Sequence, residues 1–273
     1  MYIYQSLKNY NRIAGILICL IFSLTAVTAP SLAHDTFLLP AKHNWGMGDS
    51  VDIKLSSALS FPDITYGPKQ DRISSTFVRV GGESVNTFSL TESKAFLTLG
   101  FKAEHSGFGV VAMSSKPRFG DIAPEKAEEY FDEIGATQPV RQAFAALSGE
   151  PPLHRSYAKH TKTFICVENC VAGNSARSTP TGQALEFVAV DGGTNTFQLL
   201  RGGKPLAHHK VKVSTSAKDV YEITTTKSGE LTVDGKVSGV IMLLAVVITL
   251  PDQADGVYHS DYASLVLESA QTP

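Results

Sequence analysis

The sequence predicts a mainly β fold: two β-sandwich domains, the C-terminal one immunoglobulin-like, with a short helical insertion in the first. Short runs with period-two alternation and β-branched content recur along most of the chain, the pattern of strands with one buried face. Residues 124–147 switch instead to helical composition. After residue 181 the alternating runs return at near-regular spacing with Gly-rich turns between them, over about ninety residues, the size of one immunoglobulin-like module.

Residues 1–33 read as an export signal: Lys8 and Arg12 precede the apolar run "IAGILICLIFSLTAVTA", and Ser31-Leu32-Ala33 puts small residues at the minus-three and minus-one positions. Cleavage after Ala33 makes His34 the first mature residue and directs the protein to the periplasm. Cleavage after Ala29 is the alternative and leaves a four-residue stub before His34. Cys19 lies inside the apolar run behind the bulky Ile18, which argues against a lipoprotein. The first domain, residues 34–171, carries the strand-like runs "SVDIKLSSAL", "TFVRVGG", "AFLTLGFKAEHSG" and "FGVVAMSS". In its insertion, Pro124 stands near a helix start, and Gly135 and Pro139 separate two short helices. The acids of "EKAEEYFDEIG" fall at helical spacing and form a solvated face.

The run "PPLHRSYAKHTKTFICV" leads out of the insertion as a strand, followed by the polar loop "AGNSARSTPTG". Residues 181–268 then hold "ALEFVAV", "TFQLLRGGKPLAHHKVKVST", "VYEITTTKSGELTV", "GVIMLLAVVITL" and "YASLVLE". The apolar run at 237–250 is shorter than the roughly 20 residues a membrane-spanning helix needs, and reads as a buried strand.

Lys8 and Arg12 are two of the chain's 24 bases, and the signal holds none of its 26 acids, so the mature chain carries a net charge of about −4. A nucleic-acid partner is excluded, since neutralising phosphates takes clustered cations. Beyond the signal only Cys166 and Cys170 remain, in "CVENC". In an oxidising compartment a short-loop disulfide is the default, with a thiolate metal site as the alternative. No HExxH, GxSxG, P-loop or dinucleotide glycine pattern occurs, so the chain does not read as an enzyme.

The segments "AHDTFLLP", "FPDITYGP", "EEYFDEIGATQPVRQ", "HRSYAKHTKTFICV", "GQALEFVAV", "LLRGGKPLAHHKV", "TTTKSGELTV" and "YHSDYASLVLE" occur in this order along almost the whole mature chain. Together they resemble an uncharacterised family of periplasmic proteins grouped with the periplasmic components of cobalt and nickel transport. The resemblance implies periplasmic metal handling and a β-sandwich with an immunoglobulin-like C-terminal half. Residue by residue, it picks out His34, Tyr157, Lys159, Gly203-Lys204-Pro205 and Asp261. The chain departs from the family in having Phe37 where tryptophan is usual.

As a first residue, His34 can close a chelate ring on one ion through its amine and Nδ1, and a further imidazole completes a nitrogen site of the kind copper and nickel prefer. Asp35 completes no amine-and-amide site, because that motif needs a histidine third and Thr36 stands there. The second ligand comes from His43, His105, His154, His160, His208, His209 or His259, each of which taken alone reads more plainly as a solvated loop histidine. His105 and His259 flank expected strands near sandwich rims, His43 lies nine residues after His34, and of the His208-His209 pair only one side chain can serve a given site if both lie on a strand. Tyr157, Lys159 and Lys162 offer an anion-binding tract, or alternate along a strand with Tyr157 packed and the lysines solvated.

These residues point to a periplasmic accessory protein that binds a divalent transition metal, nickel, cobalt or copper, for uptake or buffering, with a membrane metal transporter as partner. The alternative is a non-metal β-sandwich module that binds another envelope protein or a glycan. A copper oxidase built on His34 is a weaker third reading, lacking an identifiable second histidine and substrate face.

Overall fold

In a computed structural model that describes residues 34–170, 175–193 and 195–269, the alternating runs are strands and the chain is mainly β. The expected signal peptide lies outside the described residues. In chain order the strands are β1 (Asp35–Pro40), β2 (Asn44–Trp45), β3 (Ser50–Ala58), β4 (Ile73–Val80), β5 (Glu83–Ser84), β6 (Ser89–Glu92), β7 (Leu97–Lys102), β8 (Gly107–Ser115) and β9 (Arg118–Ile122). Helices α1 (Pro124–Glu133) and α2 (Gln138–Ala145) follow. After them come β10 (Leu153–Val167), β11 (Leu185–Ala189), β12 (Thr196–Arg201), β13 (Lys204–Pro205), β14 (Lys210–Thr215), β15 (Val220–Thr224), β16 (Glu230–Thr232), β17 (Gly239–Thr249) and β18 (Tyr258–Ser269).

Three sheets result. An outer sheet runs β1-β3-β7-β6; a ten-stranded middle sheet runs β15-β14-β17-β18-β10-β8-β4-β5, with β2 and β9 also paired to β10; a second outer sheet holds β11, β12, β13 and β16. Side-chain alternation gives the middle sheet two apolar faces. On one face Ile165, Val167, Val111 and Met113 pack with Leu38, Ile53, Leu97 and Leu99 of the first outer sheet. On the other, Phe164, Leu243, Leu265 and Leu267 pack with Phe187, Phe197, Leu199 and Leu231 of the second. The apolar run that was too short for a bilayer holds β17, most of whose residues are buried. No helix among the described residues is long and apolar enough to cross a membrane.

Strand β10 is the axis of the molecule. It lies parallel to β18 from Arg155↔Tyr258 to Thr163↔Val266, antiparallel to β9 at its start and to β8 at its end. Residues on either side of the expected boundary at 171–181 therefore share one sheet. A parallel pairing between strands so far apart in sequence leaves no local signal, because no turn links them.

The helices form where Pro124 occupies the first turn, its missing N–H costing nothing there. Gly135, at φ +63°, ends α1 in the left-handed conformation. Ala127, Tyr130 and Phe131 bury one face of α1 against Leu153, Tyr258 and Tyr262. The acidic face is solvated as read, with Arg141 reaching back to Glu128 and Asp132 at 2.7 and 2.8 Å. Gly202 and Gly203, both at positive φ, make the two-residue turn joining β12 to β13.

Cys166 and Cys170 are joined by a disulfide. Protein beginning at His34 should accordingly show no titratable thiol until reduced, and reduction should lower stability by ~2 kcal/mol or less, because so short a loop removes little chain entropy. Thiol titration before and after reduction, alongside urea denaturation, checks both.

Candidate functional site

Side chains on the second face of β10 and β18, beyond the edge of the second apolar core, form a polar network. The parallel register sets Ser156 beside His259, Ala158 beside Asp261 and His160 beside Ala263. Small residues opposite Asp261 and His160 let their long neighbours lean diagonally toward each other. His160 Nε2 lies 3.0 Å and His259 Nε2 3.2 Å from the same oxygen, Asp261 Oδ1.

Each ring is fixed from behind as well. His160 Nδ1 is 2.9 Å from Ser114 Oγ, and His259 Nδ1 is 2.7 Å from Ser156 Oγ. Gln183 Nε2 donates to Ser114 Oγ at 3.2 Å, so the Ser114 hydrogen is free for His160 Nδ1, and the His160 Nε2–H points to Asp261. Burial of Asp261 would raise its carboxyl pKa, but the hydrogen bond from His160 and the electrostatic pull of both imidazoles outweigh it and hold the carboxyl below the usual carboxylate range. His160 and Asp261 are nearly covered while the His259 side chain is 35% exposed, so the network opens to solvent on the His259 side. Among the described residues no three His, Cys, Asp or Glu side chains stand as a preformed metal cage; these three are closed on one another by hydrogen bonds.

The opposite face of the same strands carries Tyr157 and Lys159. Lys159 Nζ donates to His34 O at 2.7 Å and to Thr36 Oγ1 at 2.8 Å. Burial pulls its pKa down to about 8, with Asp35 opposing and Arg155 and Arg118 adding to the fall. The lysines of this tract are therefore not solvated: Lys159 clamps the start of β1, and Lys162, 1% exposed, points to the other face and pairs with Glu186 of β11. Strict alternation sends residues 159 and 162 to opposite sides, so the three do not form one anion site.

The other sequence candidates are dispersed. The His34 ring meets Tyr66 edge-on, with centroids 5.1 Å apart. His43 is buried, its Nδ1 3.0 Å from Phe164 O, and burial lowers its pKa despite that bond. His105 sits half-buried between β7 and β8, and His154 pairs with Asp121 at 3.0 Å on the surface. His208, exposed at φ +54°, lies with His209 in a turn rather than on a strand. Gly203-Lys204-Pro205 belong to the β12–β13 turn and its return strand. Ser114, Ser156 and Gln183 were not legible as site residues. The i, i+2 spacing of His259 and Asp261 does put them on one face of a strand, and is the signal that pairs them.

The family model described as "Domain of unknown function (DUF4198)" matches residues 31–249. No curated protein matches the chain. Similar solved structures include the Bacteroides ovatus mixed-linkage glucan utilization locus protein SGBP-B in complex with a mixed-linkage heptasaccharide (11% identity, 85% of this chain and 46% of that one, TM-score 0.21). Others are trypsin-activated alpha-2-macroglobulin from Escherichia coli (10%, 89% and 16%, TM-score 0.26) and DIP-gamma IG1+IG2 (8%, 86% and 98%, TM-score 0.21). The chain spans less than half the length of the first two.

Proposed function

The chain belongs to the DUF4198 family of domains of unknown function, and from that premise we propose that it binds a divalent transition-metal ion, nickel, cobalt or copper, as cargo for uptake or buffering in the periplasm. The observation that carries this reading is the convergence of His160 Nε2 and His259 Nε2 on one oxygen of Asp261. Two imidazoles and a carboxylate suit such ions. Each ring is oriented through its other nitrogen by a serine, the outer support that metal-ligating histidines carry.

In the ion-free protein the Nε2 hydrogens bridge the rings to Asp261. Capture exchanges those hydrogens for the ion, with Nδ1–H then donated to Ser114 and Ser156. Exposure of His259 suits handover to a membrane transporter, since one ligand stays within reach of an incoming donor. An N-terminal chelate at His34 is the competing site.

Calorimetric titration of the protein beginning at His34 with each ion separates these readings. His259→Ala should lower affinity at least tenfold, about 1.4 kcal/mol, while one residue added ahead of His34 should leave it unchanged. Because coordination requires neutral imidazole, while the lowered pKa of Asp261 keeps its carboxyl ionised, affinity should fall as the pH is lowered. Unchanged affinity in His259→Ala overturns this site, and loss only in the extended protein moves it to His34. Absence of binding by all three ions favours the envelope-interaction or glycan-binding module.

A further inference from the structure

At the other end of β10 lies a cleft of about 260 Å³ with unusual chemistry. It is lined by His43, Phe108, Phe164, Arg177, Leu267 and Glu268, among others. The Arg177 guanidinium sits 5.0 Å from the ring centres of both Phe108 and Phe164. Among the described residues it makes no hydrogen bond or ion pair, and its buried Nε is without a partner. His43 Nε2, in the same wall, is a second buried polar atom without one. A half-buried guanidinium gains from stacked rings, but its planar set of donors ordinarily meets a carboxylate or phosphate.

We propose that this cleft binds a small organic monoanion, its carboxylate received by Arg177 and its apolar body lying against Phe108 and Leu267. The aromatic and aliphatic walls favour a ligand with an apolar part. Arg177 is the one cation in the described lining, and Glu268 stands exposed at the same cleft, held by Asn44 Nδ2 at 3.1 Å, where it repels a second negative charge. Inorganic phosphate, charged over its whole surface, therefore fits poorly. Burial lowers the Arg177 pKa, and in the absence of ligand the charge is a liability to the fold that an incoming carboxylate would relieve.

Benzoate is a suitable probe, with benzamide as its neutral analogue and inorganic phosphate as the anion without an apolar body. Calorimetry should give saturable one-to-one binding of benzoate and none of benzamide, and phosphate should not compete. Arg177→Met should weaken benzoate at least tenfold while the melting temperature without ligand stays equal or rises, a combination that a merely structural arginine would not produce. If that variant fails to fold, Arg177→Lys keeps the charge without the planar fork and should also weaken benzoate at least tenfold. His259→Ala should bind benzoate normally, so this test is independent of the metal site. Unchanged binding in the folded arginine variant, binding of phosphate as tight as benzoate, or no saturable binding of benzoate overturns the proposal.

Discussion

Lys162→Ala should destabilise the fold by about 3–5 kcal/mol, the cost of leaving one member of a buried ion pair alone. Lys162 and Glu186 are essentially without solvent exposure and join the middle sheet to the second outer sheet. Lys162 Nζ also donates to Phe187 O at 2.9 Å, and Glu186 receives Thr181 N, Thr181 Oγ1 and Gly182 N at 2.8 to 3.0 Å. The carboxylate is thus satisfied from the loop side and depends on Lys162 for charge. A double change, Lys162→Met with Glu186→Leu, should cost less than Lys162→Ala, because it removes both charges together. Burial would raise the Glu186 pKa, but Lys162 and the Thr181 bonds bring it below the ordinary carboxylate range. Its stabilisation is therefore present above the unfolded-state pKa and lost as the pH falls through the lower folded one, so the gap between wild type and Glu186→Gln should close in acid. Urea midpoints at unchanged slope measure these differences, and a Lys162→Ala loss under about 1 kcal/mol would falsify the account.

Phe37→Ala should cost a comparable amount, about 3–5 kcal/mol. Phe37 is fully buried on β1 between the first outer sheet and the middle sheet, among Ala58, Phe61, Met242, Leu244 and Val266. Its ring meets Phe61 edge-on at 5.1 Å. The cavity would open where two rigid sheets meet, and neither can collapse into it without losing strand register. A larger ring should fit poorly in the same space, so Phe37→Trp should cost about 1–3 kcal/mol through overpacking. Both values are read from denaturation midpoints; a cost below about 1 kcal/mol for the alanine would mean that β1 packs loosely.

Local chemistry made most strands and both helices legible. β3, β7, β8, β11 and β17 follow alternation or continuous apolar runs, and the helices follow Pro124, Gly135 and Pro139. β9, whose residues are mostly exposed, and the two-residue strands β2 and β5 carry too little apolar pattern to register. The site was legible only in part. Alternation puts His259 and Asp261 on one face, yet nothing near His160 announces that it meets a residue 101 positions away. Arg177 was invisible for a related reason: in "AGNSARSTPTG" it reads as a solvated loop arginine, and only the folded chain sets two phenylalanines around it.

The place of β18 has a kinetic consequence. This strand follows all the others in chain order, yet it sits between β17 and β10 near the middle of the largest sheet. Until Tyr258–Ser269 inserts, β10 lacks its parallel neighbour and β17 exposes an apolar edge able to pair with the wrong chain. Closing that sheet means joining contacts with a sequence separation of about 100 residues, the kind of step that slows folding. Any polypeptide ending near Thr249 would therefore hold its gap open as a template for aggregation, with the histidine network split along the same seam.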